Sequence, residues 1–208
     1  MNFRSIFTQS IFVLDNQLSP SFCSHLINKF EDDREGHGYG VTHNGHTPHI
    51  KQSTDLQITN GCTNHLWQAE DRELDEALRN ALVKYDKHLD SKVSGMKVLG
   101  MFGEMFDTGH QMQRTTPGGF YKWHHDASDT RQLTYIFYLN DVKGGDGYTE
   151  FCDGTRVYPR AGRMLIFPAT WQYLHRGVAP KKDIKYIITG WLYSKLSGDR
   201  QILEMSGL

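Results

Sequence analysis

The sequence predicts a mainly β protein with some α: a double-stranded β-helix, or jelly roll, preceded by N-terminal packing helices. Two observations carry that prediction. From about Val98, short β-branched and aromatic runs (LTYIFYL, GYTEF, RMLIFP, IKYIITGWLY) alternate with the turn signals PGG, DASD, DVKGGDG, CDG and PRAG. Short strands at this spacing build a sandwich or barrel. Before Val98, apolar residues recur at helical spacing in two separate segments.

Taken in order, IFVLD (11–15) predicts a strand. Ser19 then offers an N-cap hydroxyl, and Pro20 sits where a missing N–H costs nothing, so a helix starts there. Phe22, Leu26, Ile27 and Phe30 form its apolar face, and EDDREG ends it. GHGYGVTHNGHTPH (36–49) is rich in Gly and His without a period and reads as a loop. In the second helix Trp67, Leu74, Leu78, Leu82, Tyr85 and Leu89 share one face. Its acids Glu70, Asp71 and Glu73 precede its bases Arg79, Lys84 and Lys87, matching the helix dipole. The expected organisation is one domain over 1–208: helical support and lid loop over 1–97, a β-barrel over 98–195, and a tail over 196–208.

Composition excludes several classes. A net charge of -1 gives no basic field to attract nucleic acid or an anionic membrane. No apolar run reaches the ~20 residues of a membrane helix, and MNFRSIFTQSIFVLDNQL lacks a signal peptide's apolar core and cleavage site. Cys23, Cys62 and Cys152 are too few and too scattered for a disulfide framework, which points to buried free thiols in a reducing, cytoplasmic setting.

The chemistry concentrates in YKWHHD (121–126). On a strand alternate residues share a face, so His124 and Asp126 point one way and His125 the other. His125 then reads as a packed or hydrogen-bonded neighbour. An imidazole and a carboxylate on one face are two metal ligands or a plain hydrogen-bonded pair. His175, in WQYLHRG between two predicted strands, is placed to supply a third ligand. Two histidines and a carboxylate are the facial set of a non-haem Fe(II) centre. Lys185 follows His175 by ten residues on an otherwise apolar strand. Such a lysine either extends its ammonium to water or meets an anionic ligand.

The segments RTTPGGFYKWHHD, LTYIFYLND, GGDGYTEF, YPRAGRMLIFP, LHRGVAP and KYIITGW occur in this order between Gln111 and Tyr193. With them the chain resembles the 2-oxoglutarate- and Fe(II)-dependent dioxygenases of the prolyl 4-hydroxylase-like branch. YPRAGRMLIFPATW and KYIITGWLY are similar to phage and marine-bacterial versions. The resemblance implies that His124, Asp126 and His175 bind Fe(II) as the catalytic centre. It also implies that Lys185 pairs with the distal carboxylate of 2-oxoglutarate, with Tyr138, Thr189 and Tyr121 around the co-substrate. Arg131 then stands at the mouth of the substrate cleft and Trp191 lines the site. The implied cofactors are Fe(II), 2-oxoglutarate and O2, with ascorbate as an accessory. The implied reaction is hydroxylation of a C–H bond with release of succinate and CO2, and retention of Asp126 favours hydroxylation over halogenation.

The pattern departs from the family at Thr115, where many relatives carry a tyrosine; Gln111 or Gln113 are its candidate substitutes. The GGDGYT turn is longer than usual, which re-aims Tyr148 and Thr149. Lys181 and Lys182 compete with Lys185 on charge but sit in a turn and read as solvated. His43, His46 and His49 are spaced as a second metal site, though without carboxylate or Cys company; the resemblance implies instead that the loop carrying them closes over substrate. Trp123 and Trp171 read as core or pocket wall, and Glu150 and Asp153 as solvated carboxylates beside turns.

The leading expectation is a peptidyl hydroxylase acting on prolyl residues of a peptide or protein, in the cytoplasm (a host's, if phage-encoded). A free amino acid or small metabolite, or a nucleic-acid base, are the other substrate classes. A binding module that kept the jelly roll without turnover is the non-enzymatic alternative. A cupin-type metal enzyme would show an HxH pair and a glutamate instead.

Overall fold

The computed structural model describes residues 8–58, 65–92, 105–128 and 130–194. Cys62, the stretch 98–104 and the tail 196–208 lie outside the described residues. Helix α1 (Pro20–Asp32) starts as predicted: Ser19 Oγ accepts the Phe22 N–H at 3.1 Å, and Pro20 opens the first turn. Phe22, Cys23, Leu26 and Phe30 are buried on its inner face. Helix α2 (Gln68–Lys92) follows a short 3-10 turn, His65–Trp67. It buries Leu74, Leu78, Tyr85 and Leu89 with Leu82 partly covered, as the spacing predicts, and also Glu70 and Asp71. Both acids lie in the first turn, where they complement the helix dipole, and their burial is what the spacing did not predict.

Twelve described strands form two antiparallel sheets. They are β1 (Phe12–Leu14), β2 (Gly38–Tyr39), β3 (Thr54–Ile58), β4 (Met105–Asp107), β5 (His110–Thr115), β6 (Tyr121–His124), β7 (Arg131–Tyr138), β8 (Thr149–Phe151), β9 (Arg156–Val157), β10 (Arg163–Pro168), β11 (His175–Gly177) and β12 (Lys185–Ser194). The major sheet runs β1-β10-β7-β12-β5-β3-β2 with β4 on the end of β12, and the minor sheet runs β6-β11-β8-β9. The sequence pattern marks the barrel strands but not β3, whose TDLQI lacks clean alternation and buries Asp55 beside Leu56.

The central strands divide by parity. Leu133, Tyr135 and Phe137 of β7, Tyr186, Ile188 and Leu192 of β12, and Met112 of β5 join the helices in one core. Their alternates turn toward the minor sheet. Ile136, Tyr138, Leu165, Phe167 and Ile187 pack there with Phe151 and Val157 of β8 and β9, with Phe151 edge-on to Phe167 at 5.0 Å between centroids. The chain thus has a helix–sheet core outside and a smaller inter-sheet core inside, at one end of the barrel.

Both cores are closely packed, so truncation on α1 should be costly. Leu26→Ala should lower the unfolding free energy by about 2–5 kcal/mol, measured by urea denaturation. A loss under about 1 kcal/mol would mean that α1 is not docked as described.

Candidate active site

The inward face of the major sheet and the mouth of the minor sheet enclose a cavity of about 820 Å³. At one wall the β6–β11 ladder sets His175 directly opposite His124. Their rings are 4.2 Å apart between centroids. Strand β6 ends at His124, so Asp126 lies just past the strand, yet its carboxylate returns to the same side. Asp126 Oδ1 is 3.8 Å from His124 Nε2, and Oδ2 is 3.7 Å from His175 Nε2.

The protonation pattern fits a metal. His124 Nδ1 is 2.8 Å from the Lys122 carbonyl and His175 Nδ1 is 3.0 Å from the Tyr173 carbonyl. A carbonyl only accepts, so each ring carries a proton on Nδ1, and in the neutral ring the Nε2 lone pair is directed at Asp126. Burial, reinforced by His175, pushes the His124 pKa down to about 3, which keeps it neutral. Burial opposes ionisation of Asp126, but the neighbouring His175 and His124 and the Thr134 hydroxyl at 2.8 Å hold its pKa below the ordinary value. The Trp191 indole N–H acts in the same direction, although it falls short of hydrogen-bond geometry. With both Nε2 atoms deprotonated, two imidazoles and one carboxylate converging on a point are the donor set of a divalent iron centre with open positions.

Lys185 lines the same cavity and is 4 % exposed, so it does not reach water. Its Nζ donates to the Gly147 carbonyl at 3.0 Å, and among the described residues no carboxylate pairs with it. Burial alone brings its pKa down to about 8. A buried ammonium without a counter-ion, beside a metal-type triad, fits an anionic ligand that binds both. Lys181 and Lys182 are exposed in the turn, as expected.

The other predicted residues divide. Thr189 lines the cavity and donates to the Tyr135 carbonyl at 2.9 Å. Tyr121 stacks on His124, with centroids 3.5 Å apart, and burial raises its hydroxyl to about 12, so it remains a donor. Arg131 lies over the Trp191 ring at 4.1 Å and bonds Tyr193 Oη at 3.0 Å, and both Arg131 and Trp191 line the cavity. Tyr138 has the predicted inward parity but does not reach the cavity wall. It is fully buried, and its hydroxyl is bonded at 2.7 Å to Thr149, which lines the wall in its place. Gln111, Gln113 and Thr115 all face the cavity, Thr115 directly opposite Lys185.

Other readings need correction. His125 is exposed at the cavity rim and not packed. Trp123 and Trp171 are surface residues, Trp123 stacked under Arg176 at 4.8 Å. Glu150 is buried and paired with Arg156 and Arg176 at 2.8 and 2.7 Å. Cys152 is free but exposed, unlike buried Cys23. His43, His46 and His49 are not among the described groups that bring three ligand atoms together; His43 lines the cavity and His46 stacks on Tyr39. Just past the loop that carries them, Gln52 N–H bonds Phe120 O at 2.8 Å and Lys122 N–H bonds Ile50 O at 2.9 Å. Sequence reasoning missed Lys51, a cavity residue salt-bridged to Asp55 at 2.7 Å and both buried; an isolated KQSTD carries no signal of that pairing.

Residues 110–193, which hold every one of the predicted site residues, match the family model described as the 2OG-Fe(II) oxygenase superfamily. The matched segment is the part of the barrel that carries the triad and Lys185. Similar solved structures include a viral collagen prolyl hydroxylase from Paramecium Bursaria Chlorella virus-1 in complex with 2OG. It shares 19% identity and a TM-score of 0.66, covering 89% of this chain and 96% of that one. A Pseudomonas putida prolyl-4-hydroxylase shares 17% identity, with 92% and 96% coverage and a TM-score of 0.65. A Trichoplax adhaerens prolyl hydroxylase, in complex with a hypoxia inducible factor peptide fragment, shares 15% identity, with 92% and 86% coverage and a TM-score of 0.66. These show the same fold. Comparison with curated protein sequences returned no match. No described helix is long and apolar enough to cross a membrane.

The depressed pKa of Lys185 has a measurable sign. With a folded value near 8 against 10.5 unfolded, its charge destabilises the ligand-free fold at neutral pH. Lys185→Met should therefore raise the unfolding free energy at pH 7 by a few kcal/mol, of the order of 1–3. The gap between parent and variant should close as pH rises from about 8 toward 10.5, followed by denaturant melts across that range. A variant less stable at pH 7 would contradict the unpaired burial.

Proposed function

We propose that this chain, as one domain over 1–208, hydroxylates prolyl residues of a peptide or protein. The observation that carries the reading is that His124, Asp126, His175 and unpaired Lys185 line one cavity. His124, Asp126 and His175 would hold Fe(II), and Lys185 would neutralise the distal carboxylate of 2-oxoglutarate, with Thr189, Thr149 and Tyr121 around it. When bound, iron, 2-oxoglutarate and O2 supply an oxidative decarboxylation that yields succinate and CO2 and places the second oxygen atom on the substrate carbon. The chain's own part is positional. Thr134 fixes the Asp126 carboxylate, the two carbonyls fix the imidazole tautomers, and Lys185 selects a diacid of one length. Arg131 and Trp191 form the wall past Asp126 and would contact the peptide.

The prolyl assignment is supported by the shared fold of a viral collagen prolyl hydroxylase and of a hydroxylase seen with a peptide. The free thiols of Cys23 and Cys152 fit a reducing compartment such as the cytoplasm, where ascorbate would help keep the iron ferrous.

Anaerobic protein with Fe(II) and 2-oxoglutarate should develop the visible charge-transfer absorption, and air should release succinate. His175→Ala and Lys185→Ala should each reduce turnover at least 100-fold; parent-like behaviour of both would overturn the site. Proline-containing peptides should gain one oxygen by mass spectrometry, whereas oxidation only of an amino acid or nucleobase would move the substrate class.

Lys185 also sets a pH dependence. Co-substrate binding needs the ammonium, so the Kd for 2-oxoglutarate should rise about tenfold per pH unit above about 8. A flat Kd between pH 7 and 9.5, measured by anaerobic titration, would remove Lys185 from the binding site.

A further inference from the structure

A second cluster lies on the other face of the major sheet. Asp71 and Asp75 stand one turn apart on α2 and share a face of it. His110 opens β5 with the outward parity of Met112, opposite to cavity-lining Gln111. His110 Nε2 is 3.2 Å from Asp75 Oδ1 and 3.8 Å from Asp71 Oδ1, and all three ligand atoms lie within 4.8 Å of one another. We propose that Asp71, Asp75 and His110 form a second divalent-cation site, taking a borderline transition ion such as zinc and tying α2 to the sheet.

Three observations support a bound ion over an internal ion pair. First, Asp71 is 7 % exposed, and its Oδ1, aimed at His110, has no hydrogen-bond donor. A buried carboxylate oxygen left unsatisfied is costly and calls for a partner. Second, charge does not balance. Even a protonated His110 leaves one of the two carboxylates uncompensated, and Asp107 adds to the negative field around Asp71. Arg79, 4.0 Å from Asp75, and Arg72, which also acts on Asp71, are exposed and offset the charge weakly, whereas a divalent cation with neutral His110 would neutralise the two carboxylates directly. Third, the imidazole is oriented from behind. Tyr135 Oη is 2.8 Å from His110 Nδ1 and 3.4 Å from the Gly109 carbonyl. Without an ion, Nε2 donates to Asp75 Oδ1 at 3.2 Å and Nδ1 accepts from the Tyr135 hydroxyl; an ion would displace the Nε2 proton, and the same hydroxyl, turned to donate to the Gly109 carbonyl, could then accept from a protonated Nδ1. Space for the tyrosine exists because β12 carries Gly190 there; a Cβ would collide with the Tyr135 hydroxyl.

One nitrogen and two carboxylates suit zinc or manganese better than calcium, which takes six to eight oxygens. Asp75 is partly exposed, which gives an ion a way in and leaves a position for water.

The test removes the cavity ligands first. The metal-stripped His124→Ala/His175→Ala double variant should still bind one equivalent of Zn(II) by calorimetry, with a rise in unfolding midpoint. Adding Asp71→Asn should weaken that binding at least 100-fold and abolish the rise, with circular dichroism unchanged. Should the double variant not fold, Asp71→Asn in the otherwise unaltered chain should lower zinc stoichiometry by one equivalent. That decrement does not depend on what the cavity triad binds, so its failure is distinguishable from failure of the proposed activity. No zinc in the double variant, or stoichiometry that Asp71→Asn leaves unchanged, would overturn the proposal and leave a His110 ion pair or the loop histidines as the explanation.

Discussion

Strands β5, β7 and β12 lie side by side in the major sheet, and each faces two incompatible environments. On one side is an apolar core under two helices; on the other is a cavity that must hold charge. A strand meets both demands only by strict alternation, since successive side chains point to opposite faces. Leu133, Tyr135 and Phe137 satisfy the helices while Thr134 and Ile136 line the cavity. Tyr186 and Ile188 do the same on β12 while Lys185, Ile187, Thr189 and Trp191 face inward. A register slip of one residue would put Lys185 under α1 and Tyr186 in the cavity. The apolar face therefore fixes the register, and the register fixes the site.

Within that frame, the site is held by groups that do not themselves need to react. The Lys122 and Tyr173 carbonyls set the imidazole tautomers, and Thr134 holds one Asp126 oxygen. The β6–β11 ladder brings His124 opposite His175 before any ligand binds. Preorganisation of this kind has a stability cost, most plainly in a cation enclosed without a counter-ion. The helix–sheet core, which closes over the opposite side of the same strands, offsets it.

Elements defined by period or by local caps were legible in the sequence. Ser19–Pro20 marked the start of α1, β-branched and aromatic runs between turn signals marked β7, β10 and β12, and His124, Asp126, His175 and Lys185 marked the cavity. Properties that depend on depth were not legible. Parity put Tyr138 on the inner face, but only packing shows that Thr149 stands between it and the cavity. Glu150 beside a turn looks solvated until Arg156 and Arg176, distant in sequence, close on it. Thr54–Ile58 escaped because Asp55 is buried by its pairing with Lys51, and the sequence of a strand does not announce a partner on a preceding loop. Asp71 does stand in the first turn as a helix-dipole complement, but its burial was not legible for the same reason: nothing local says that β5 will bring His110 against it.

Strand β7 gives the two clusters a shared support. Thr134 binds Asp126 on one face of the sheet, and the next residue, Tyr135, orients His110 on the other. Adjacent residues of one strand are covalently fixed relative to each other, so a displacement that retunes one cluster must be absorbed within a single peptide unit of the other. The Tyr135 carbonyl also accepts from Thr189 in the cavity wall, which adds a hydrogen bond across that same peptide. A rigid, close-packed sheet transmits such a shift instead of dissipating it. An ion seated between α2 and β5 would therefore restrict not only the helix but also the backbone from which the Asp126 carboxylate is held.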